Sequence, residues 1–183
     1  MATNRRLASN EGPDFYVTPA WGTQALIGNE SFIGRILEPC CGNGAMAKVL
    51  AAAGYKVQAS DLYKLGYGSK RDFFAIRRKF DNIVTNPPFN IAEEVLEHAL
   101  NLARRKVALL LRSAFIESVG RWERFYRERP PSRLLVFSRR LSIYKFGSTK
   151  VGGGTTSYAW FIWDKQDVTK QTQVKWINPG IDR

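Results

Sequence analysis

Four consecutive residues, Asn86-Pro87-Pro88-Phe89, carry the most specific chemical signal in the sequence. They follow directly on the apolar run Phe80–Thr85, the kind that forms a buried strand. An exocyclic amino group conjugated to a ring is a poor nucleophile, because its lone pair is delocalised. The side-chain oxygen of Asn86 and the carbonyl of Pro87 would each accept one of its two N–H bonds. That holds the nitrogen near tetrahedral geometry, with its lone pair aimed at a sulfonium methyl. The two prolines keep the carbonyl rigid, which is preorganisation. Phe89 offers a ring face to a flipped or unstacked base.

A second signal lies upstream, in Leu37-Glu38-Pro39-Cys40-Cys41-Gly42-Asn43-Gly44-Ala45. Glycines at 42 and 44 let backbone approach a ligand with no Cβ in the way. The free N–H groups of the helix that follows then face that ligand. Read as G-x-G-x-x-A, residues 42–47 also match the dinucleotide fingerprint, with an acid, Asp61, nineteen residues after Gly42. A carboxylate at a strand end suits a pair of ribose hydroxyls, which fits NAD and S-adenosylmethionine equally. An ordinary strand-to-helix turn also uses such glycines. The dehydrogenase reading explains none of the four residues 86–89.

These motifs need elements to position them, and the hydrophobic pattern supplies a candidate set. Residues 35–37, 55–60, 80–85, 107–111, 134–138 and 158–163 read as strands. Residues 45–53 read as a helix stopped by Gly54, and 91–103 and 116–127 as further helices. Residues 147–156 form a Gly-rich loop between the last two strands, a candidate lip over the target. Residues 1–12 and the polar tail from about 169 read as loose. Strands alternating with helices predict an α/β domain: a mostly parallel sheet covered on both faces, binding ligands beyond the carboxyl ends of its strands. Trp160 and Trp163 read as sheet core, and His98, on a helix with Glu93, Glu94 and Glu97, as surface.

With 183 residues and 44% of them apolar, the chain is sized for one domain with its own core. No apolar run reaches the length of a membrane span, and the start lacks the apolar core of a signal peptide, so a cytoplasmic protein is expected. One His and two adjacent cysteines, Cys40 and Cys41, make neither a zinc site nor an ordinary disulfide, and no metal is expected. The net charge of +12 is concentrated: residues 101–150 hold 13 of the 28 basic residues and three acids. Such a cluster favours a polyanion, although a solvated face has the same composition. Arg112, Arg139, Arg140, Lys145 and Lys150 are the candidate nucleic-acid contacts.

Together these stretches resemble the S-adenosylmethionine-dependent amino-methyltransferases, above all small phage- and prophage-type adenine-specific DNA methyltransferases. The resemblance runs from about residue 14 to 163. Asp14-Phe15-Tyr16-Val17-Thr18-Pro19 resembles the element that covers the cofactor methionine, which implicates Tyr16, Thr18 and Pro19. Residues 38–44 match the glycine loop, which implicates Glu38, Pro39, Cys40, Gly42, Asn43 and Gly44. Asp61-Leu62 falls where the family holds the ribose and adenine edge. Asp72-Phe73 falls where an acid meets the cofactor adenine amino group beside an aromatic. Asn86, Pro87, Pro88 and Phe89 match the catalytic motif, and residues 109–115 the strand and loop after it.

The resemblance implies a single Rossmann-like class I methyltransferase domain with a seven-stranded sheet whose final strand is antiparallel. It also implies methyl transfer to N6 of adenine. Only about twenty residues follow Trp163, so no separate target-recognition domain is expected. That departure from the family leaves RNA adenine N6 or guanine N2 as alternative targets, and a homodimer as one source of a recognition surface. Protein glutamine methylation and a silent nucleic-acid-binding module are the remaining alternatives.

Overall fold

Strand β6, Ala103–Arg112, shows how the core is built. Val107, Leu109 and Leu111 point to one face of the sheet, and Ala108 and Leu110 to the other, and all five are buried. A strand covered on both sides reads as an unbroken apolar run rather than an alternating one. The computed structural model describes residues 15–145 and 155–178, and its elements follow the expected alternation. They are β1 (Tyr16–Val17), α1 (Ala20–Ile27), β2 (Arg35–Glu38), α2 (Ala45–Ala52), β3 (Lys56–Asp61) and β4 (Ser69–Lys70). After these come β5 (Phe80–Thr85), α3 (Ala92–Leu102), β6, β7 (Arg133–Phe137), β8 (Tyr144–Lys145), β9 (Tyr158–Asp164) and β10 (Gln173–Ile177).

The main sheet has the order β10-β7-β9-β6-β5-β2-β3-β4. β9 runs antiparallel to both β6 and β7, and the other pairings are parallel. The sheet is mostly parallel as expected, with eight strands in place of seven. The polar tail expected to be loose from about 169 instead supplies β10, paired in parallel with β7 from Gln173↔Arg133 to Ile177↔Phe137. Its pattern hides the strand: only Ile177 is buried, because an edge strand beyond the covering helices needs little apolar surface.

Val95, Leu96 and Ala99 of α3 bury one sheet face against Ile83, Leu109, Phe161 and Trp163. Leu26 of α1 with Met46 and Leu50 of α2 buries the other against Ile36, Leu110 and Trp160. Both tryptophans are core, as expected, and Trp160 donates to the Gly22 carbonyl at 2.9 Å. Gly54, at φ +89, follows the end of α2. Glu93 and Glu94 sit in the first turn of α3, where the helix dipole favours them.

Two further expectations change. Residues 116–127 are not one α-helix but a single α turn, Val119–Arg121, running into a π-helical turn, Trp122–Tyr126. Gly120 and β-branched Val119 are weak helix formers there. His98 is half-buried rather than surface: its Nε2 lies 3.0 Å from the Phe73 carbonyl and its ring meets Phe73 edge-on at 4.8 Å. Among the described residues, no helix is long and apolar enough to cross a membrane, and no His/Cys/Asp/Glu group is able to hold a metal. Lys150 and most of the Gly-rich loop lie outside the described residues.

Candidate active site

The carboxyl ends of β2, β3 and β5, adjacent in the sheet, deliver Glu38, Asp61 and the 86–89 loop to one edge. The glycine turn after β2 is tied to β3. The Asp61 carboxylate accepts the Gly42 N–H and the Tyr63 N–H, each at 2.9 Å, and the Cys41 N–H donates to the Ser60 carbonyl at 3.0 Å. Asp61 therefore clamps the loop as well as standing at a strand end. Gly42 and Gly44 have φ of +53° and +79°, the left-handed region where a Cβ is strained. A Cβ on Gly42 would lie 1.9 Å from the Phe15 ring, and one on Gly44 2.3 Å from the Tyr67 ring. Asn43 turns inward to its own loop, its Oδ1 accepting the Ala45 N–H at 3.1 Å.

Asn86 is held by the N-terminal element. Its Nδ2 donates to the Tyr16 carbonyl at 3.3 Å and to Thr18 Oγ1 at 3.1 Å. A carbonyl only accepts, so this pair fixes which end of the amide is nitrogen. Oδ1 is thereby turned away, buried and without a hydrogen-bond partner. A buried acceptor left unpaired costs about 1–3 kcal/mol, so its persistence marks a place where a donor belongs.

Glu38 repeats the pattern. Its side chain is buried, and its Oε2 has no partner. Burial pushes its carboxyl well above the ordinary range; the Ala47 N–H pulls it down and nearby Asp61 pushes it further up. An ammonium group would supply both the missing donor and the missing charge. Burial, with help from Asp61, also raises the Cys40 thiol, and burial with Glu38 and Asp61 raises Cys41 to about 12, so neither is a thiolate nucleophile. A glycine cradle with no room for side chains, beside an orphaned carboxylate oxygen, fits the amino-acid end of S-adenosylmethionine.

The remaining expected residues divide. Tyr16, Thr18, Glu38, Gly42, Gly44, Asp61 and Asn86 converge on this edge, with Pro19 capping α1 just behind Thr18 and Pro39 and Cys40 in the glycine turn. Leu62 is exposed past Asp61. Asp72 caps the 3-10 turn Phe73–Ala75 by accepting the Phe74 N–H at 2.9 Å. Phe73 is core, against His98. Phe89 is half-buried, with Tyr16 and Tyr158 at 5.7 and 5.6 Å. The Arg112 guanidinium sits 4.8 Å over its ring, so the face expected to be open to a base is already covered by a planar cation.

The basic residues of 101–150 are divided between the two edges of the sheet. Arg139 and Arg140 are exposed just past β7, and Lys145 pairs with Tyr16 across β8 and β1. Arg104, Arg105, Lys106, Arg129 and Arg133 lie instead at the opposite edge of the sheet, so residues 101–150 do not cover the site as a block. Sequence reasoning missed Tyr67 over the glycine loop and Tyr158 beside Phe89. The bracketing Gly66 and Gly68, both at positive φ, were the available signal for Tyr67.

No protein-family model and no curated protein matches the chain. Solved structures match in fold. A Pyrococcus horikoshii protein assigned as an RNA methyltransferase superposes with a TM-score of 0.60 at 15% identity, covering 87% of this chain and 92% of that one. A modification subunit assigned to a type I restriction enzyme of Vibrio vulnificus gives 0.58 at 11% identity, covering 96% and 49%. A TehB-like S-adenosylmethionine-dependent methyltransferase of Corynebacterium glutamicum gives 0.51 at 15%, covering 79% and 86%. The chain thus has the Rossmann-like fold of the methyltransferases.

Proposed function

We propose that this protein transfers a methyl group from S-adenosylmethionine to an exocyclic amino nitrogen of a nucleobase, with N6 of adenine in DNA as the first candidate. The observation that carries the reading is the unpartnered, buried Oδ1 of Asn86, oriented by Tyr16 and Thr18 and followed by Pro87 and Pro88. An amino group has two N–H bonds to give, and Asn86 Oδ1 and the Pro87 carbonyl are two acceptors. Gly42 and Gly44 would let backbone meet the cofactor, Glu38 would hold its ammonium, and Asp61 would take a ribose hydroxyl while keeping its bonds to the loop. When bound, S-adenosylmethionine supplies the electrophilic methyl. Asn86 and Pro87 localise the amine lone pair toward it, and the nitrogen sheds its proton after transfer, so no general base is needed. Arg112 lifts from Phe89 as the base stacks, one planar group replacing another.

Incubation with methyl-labelled S-adenosylmethionine and unmethylated duplex DNA, followed by digestion to nucleosides, tests this directly. Label in N6-methyladenine is expected. Cofactor binding without labelled DNA moves the reading to RNA, which the near-equal length of the P. horikoshii protein assigned to RNA favours as second choice. A folded protein that fails to bind S-adenosylmethionine overturns both.

A further inference from the structure

Arg35 opens β2, Arg78 and Lys79 lead into Phe80 at the start of β5, and Arg104 lies at the start of β6. β2, β5 and β6 are neighbours, so these residues meet at the amino edge of the sheet, opposite the 86–89 loop. With Asp81 they line a depression of about 280 Å³. Two of its cations, Arg78 and Lys79, are held by neutral groups. Arg78 donates to Gln58 Oε1 at 3.2 Å and lies 4.9 Å over the Phe80 ring, and Lys79 donates to the Asn101 carbonyl. Asp81, the one carboxylate in the lining, accepts the Arg35 N–H at 2.8 Å and stands 3.7 Å from Arg104 in an exposed pair. Asp81 offsets one of the four positive charges in the lining and leaves three.

The same edge shows what the fold does with cations it needs for structure. Lys106 and Arg133 share Glu30 and Asp164, and Glu30 is buried between them. Around the depression four cations face one acid, and β9 brings Lys165 alongside, its N–H donating to the Arg105 carbonyl at 2.8 Å. The Lys165 ammonium is held below its ordinary value by desolvation first and by the nearby Lys79 and Arg129 after it.

We propose that this depression binds phosphates of the nucleic-acid backbone, as a second contact remote from methyl transfer. The inference rests on the nucleic-acid reading above and adds how the substrate is held. The six residues of β5 separate the two edges by about 20 Å. The contacts therefore belong to different segments of one substrate, as a duplex or folded strand provides and a trinucleotide does not. Guanidinium groups gathered around a concavity suit phosphate oxygens, and each neutralised phosphate releases counterions.

The test is the Arg35→Gln/Arg78→Gln/Arg104→Gln variant of the full chain. Its affinity for a duplex and for a hairpin RNA is measured by anisotropy across a salt series. The slope of log affinity against log salt should become shallower by about 2–3 on the duplex, roughly 0.9 for each lost phosphate contact, with about 10-fold or greater weakening at low salt. S-adenosylmethionine affinity should be unchanged. Arg104→Gln alone, an exposed single change, should flatten the slope by about 1 and keeps the test readable where the triple variant misfolds. An unchanged slope overturns the proposal. Inorganic tripolyphosphate should compete with nucleic acid on the parent and not on the variant. Tight tripolyphosphate binding with the nucleic-acid slope unaffected would assign the depression to a small phosphorylated ligand, and also overturns it. Flattened slopes in a protein that methylates no nucleic acid would sink the transfer reading alone; methylation with unchanged slopes would sink this one alone.

Discussion

The two edges of one sheet handle polar groups in opposite ways. At the carboxyl edge, the groups that matter are acceptors left without donors: Asn86 Oδ1 and Glu38 Oε2, both buried. At the amino edge, the groups that matter are donors that outnumber their counter-charges, four cations around a depression with one acid in its lining. Incomplete polar pairing costs stability in both places, and the sign of what is missing differs. The carboxyl edge lacks donors, which amines and ammonium groups bring, and the depression at the amino edge is short of anions. Elsewhere on the amino edge, Glu30 with Lys106 and Arg133 shows full pairing where no ligand is needed.

The largest expected effect tests the orphaned acceptor itself. Asn86→Ala should lower the single-turnover rate of methyl transfer by about 10²- to 10³-fold, as loss of a preorganised polar group does elsewhere. Nucleic-acid affinity should hold, because the amino edge is untouched; a parallel loss of affinity would break the proposed division of labour between the edges. Next is the paired cluster. Glu30→Ala should destabilise the fold by about 2–3 kcal/mol in urea titrations, below the usual range for breaking a buried pair because Asp164 remains beside both cations. A change under about 0.5 kcal/mol, as for an ordinary surface substitution, would mean that the pairing at this edge is incidental.

How much of this was legible in the sequence follows the same division. The carboxyl edge was readable because its constraints are local. Gly42 and Gly44 are dictated by backbone conformation, and residues 86–89 sit on a strand end that the run Phe80–Thr85 announces. The amino edge was not, because Arg35, Arg78 and Arg104 come together only through strand order, which spacing does not reveal. Charge counted along the chain pointed to residues 101–150 as one basic half; the sheet sends Arg104 to one edge and Arg112, at the other end of the same strand, to the opposite one. β10 was missed because pairing with β7, not its own composition, makes it a strand.

A smaller effect reads the Glu38 site without any activity assay. Burial raises the Glu38 carboxyl in the folded chain above its unfolded value, so between those two values the folded state binds the extra proton. Stability of the ligand-free protein should therefore be full below the ordinary carboxyl range. It should fall as pH rises toward the raised folded value, by up to about 1.4 kcal/mol per pH unit from this group. Glu38→Gln should remove that slope in urea titrations run at several pH values. A slope that survives the substitution would assign it to other groups and weaken the case for an ammonium partner.

The smallest effect is the most discriminating for the carboxyl edge. Thr18→Val removes one of the two acceptors that orient Asn86 and leaves the longer bond to Tyr16. One net hydrogen bond is worth about 1 kcal/mol, so the transfer rate should fall about fivefold, while Thr18→Ser should restore it. Thr18 is buried and bonded to Asn86, so the loss should appear in kcat rather than KM. A loss confined to KM would place Thr18 against a ligand. Asn86 Oδ1 would then be aimed by Tyr16 alone, and the N-terminal element would serve binding rather than the chemistry of the amine.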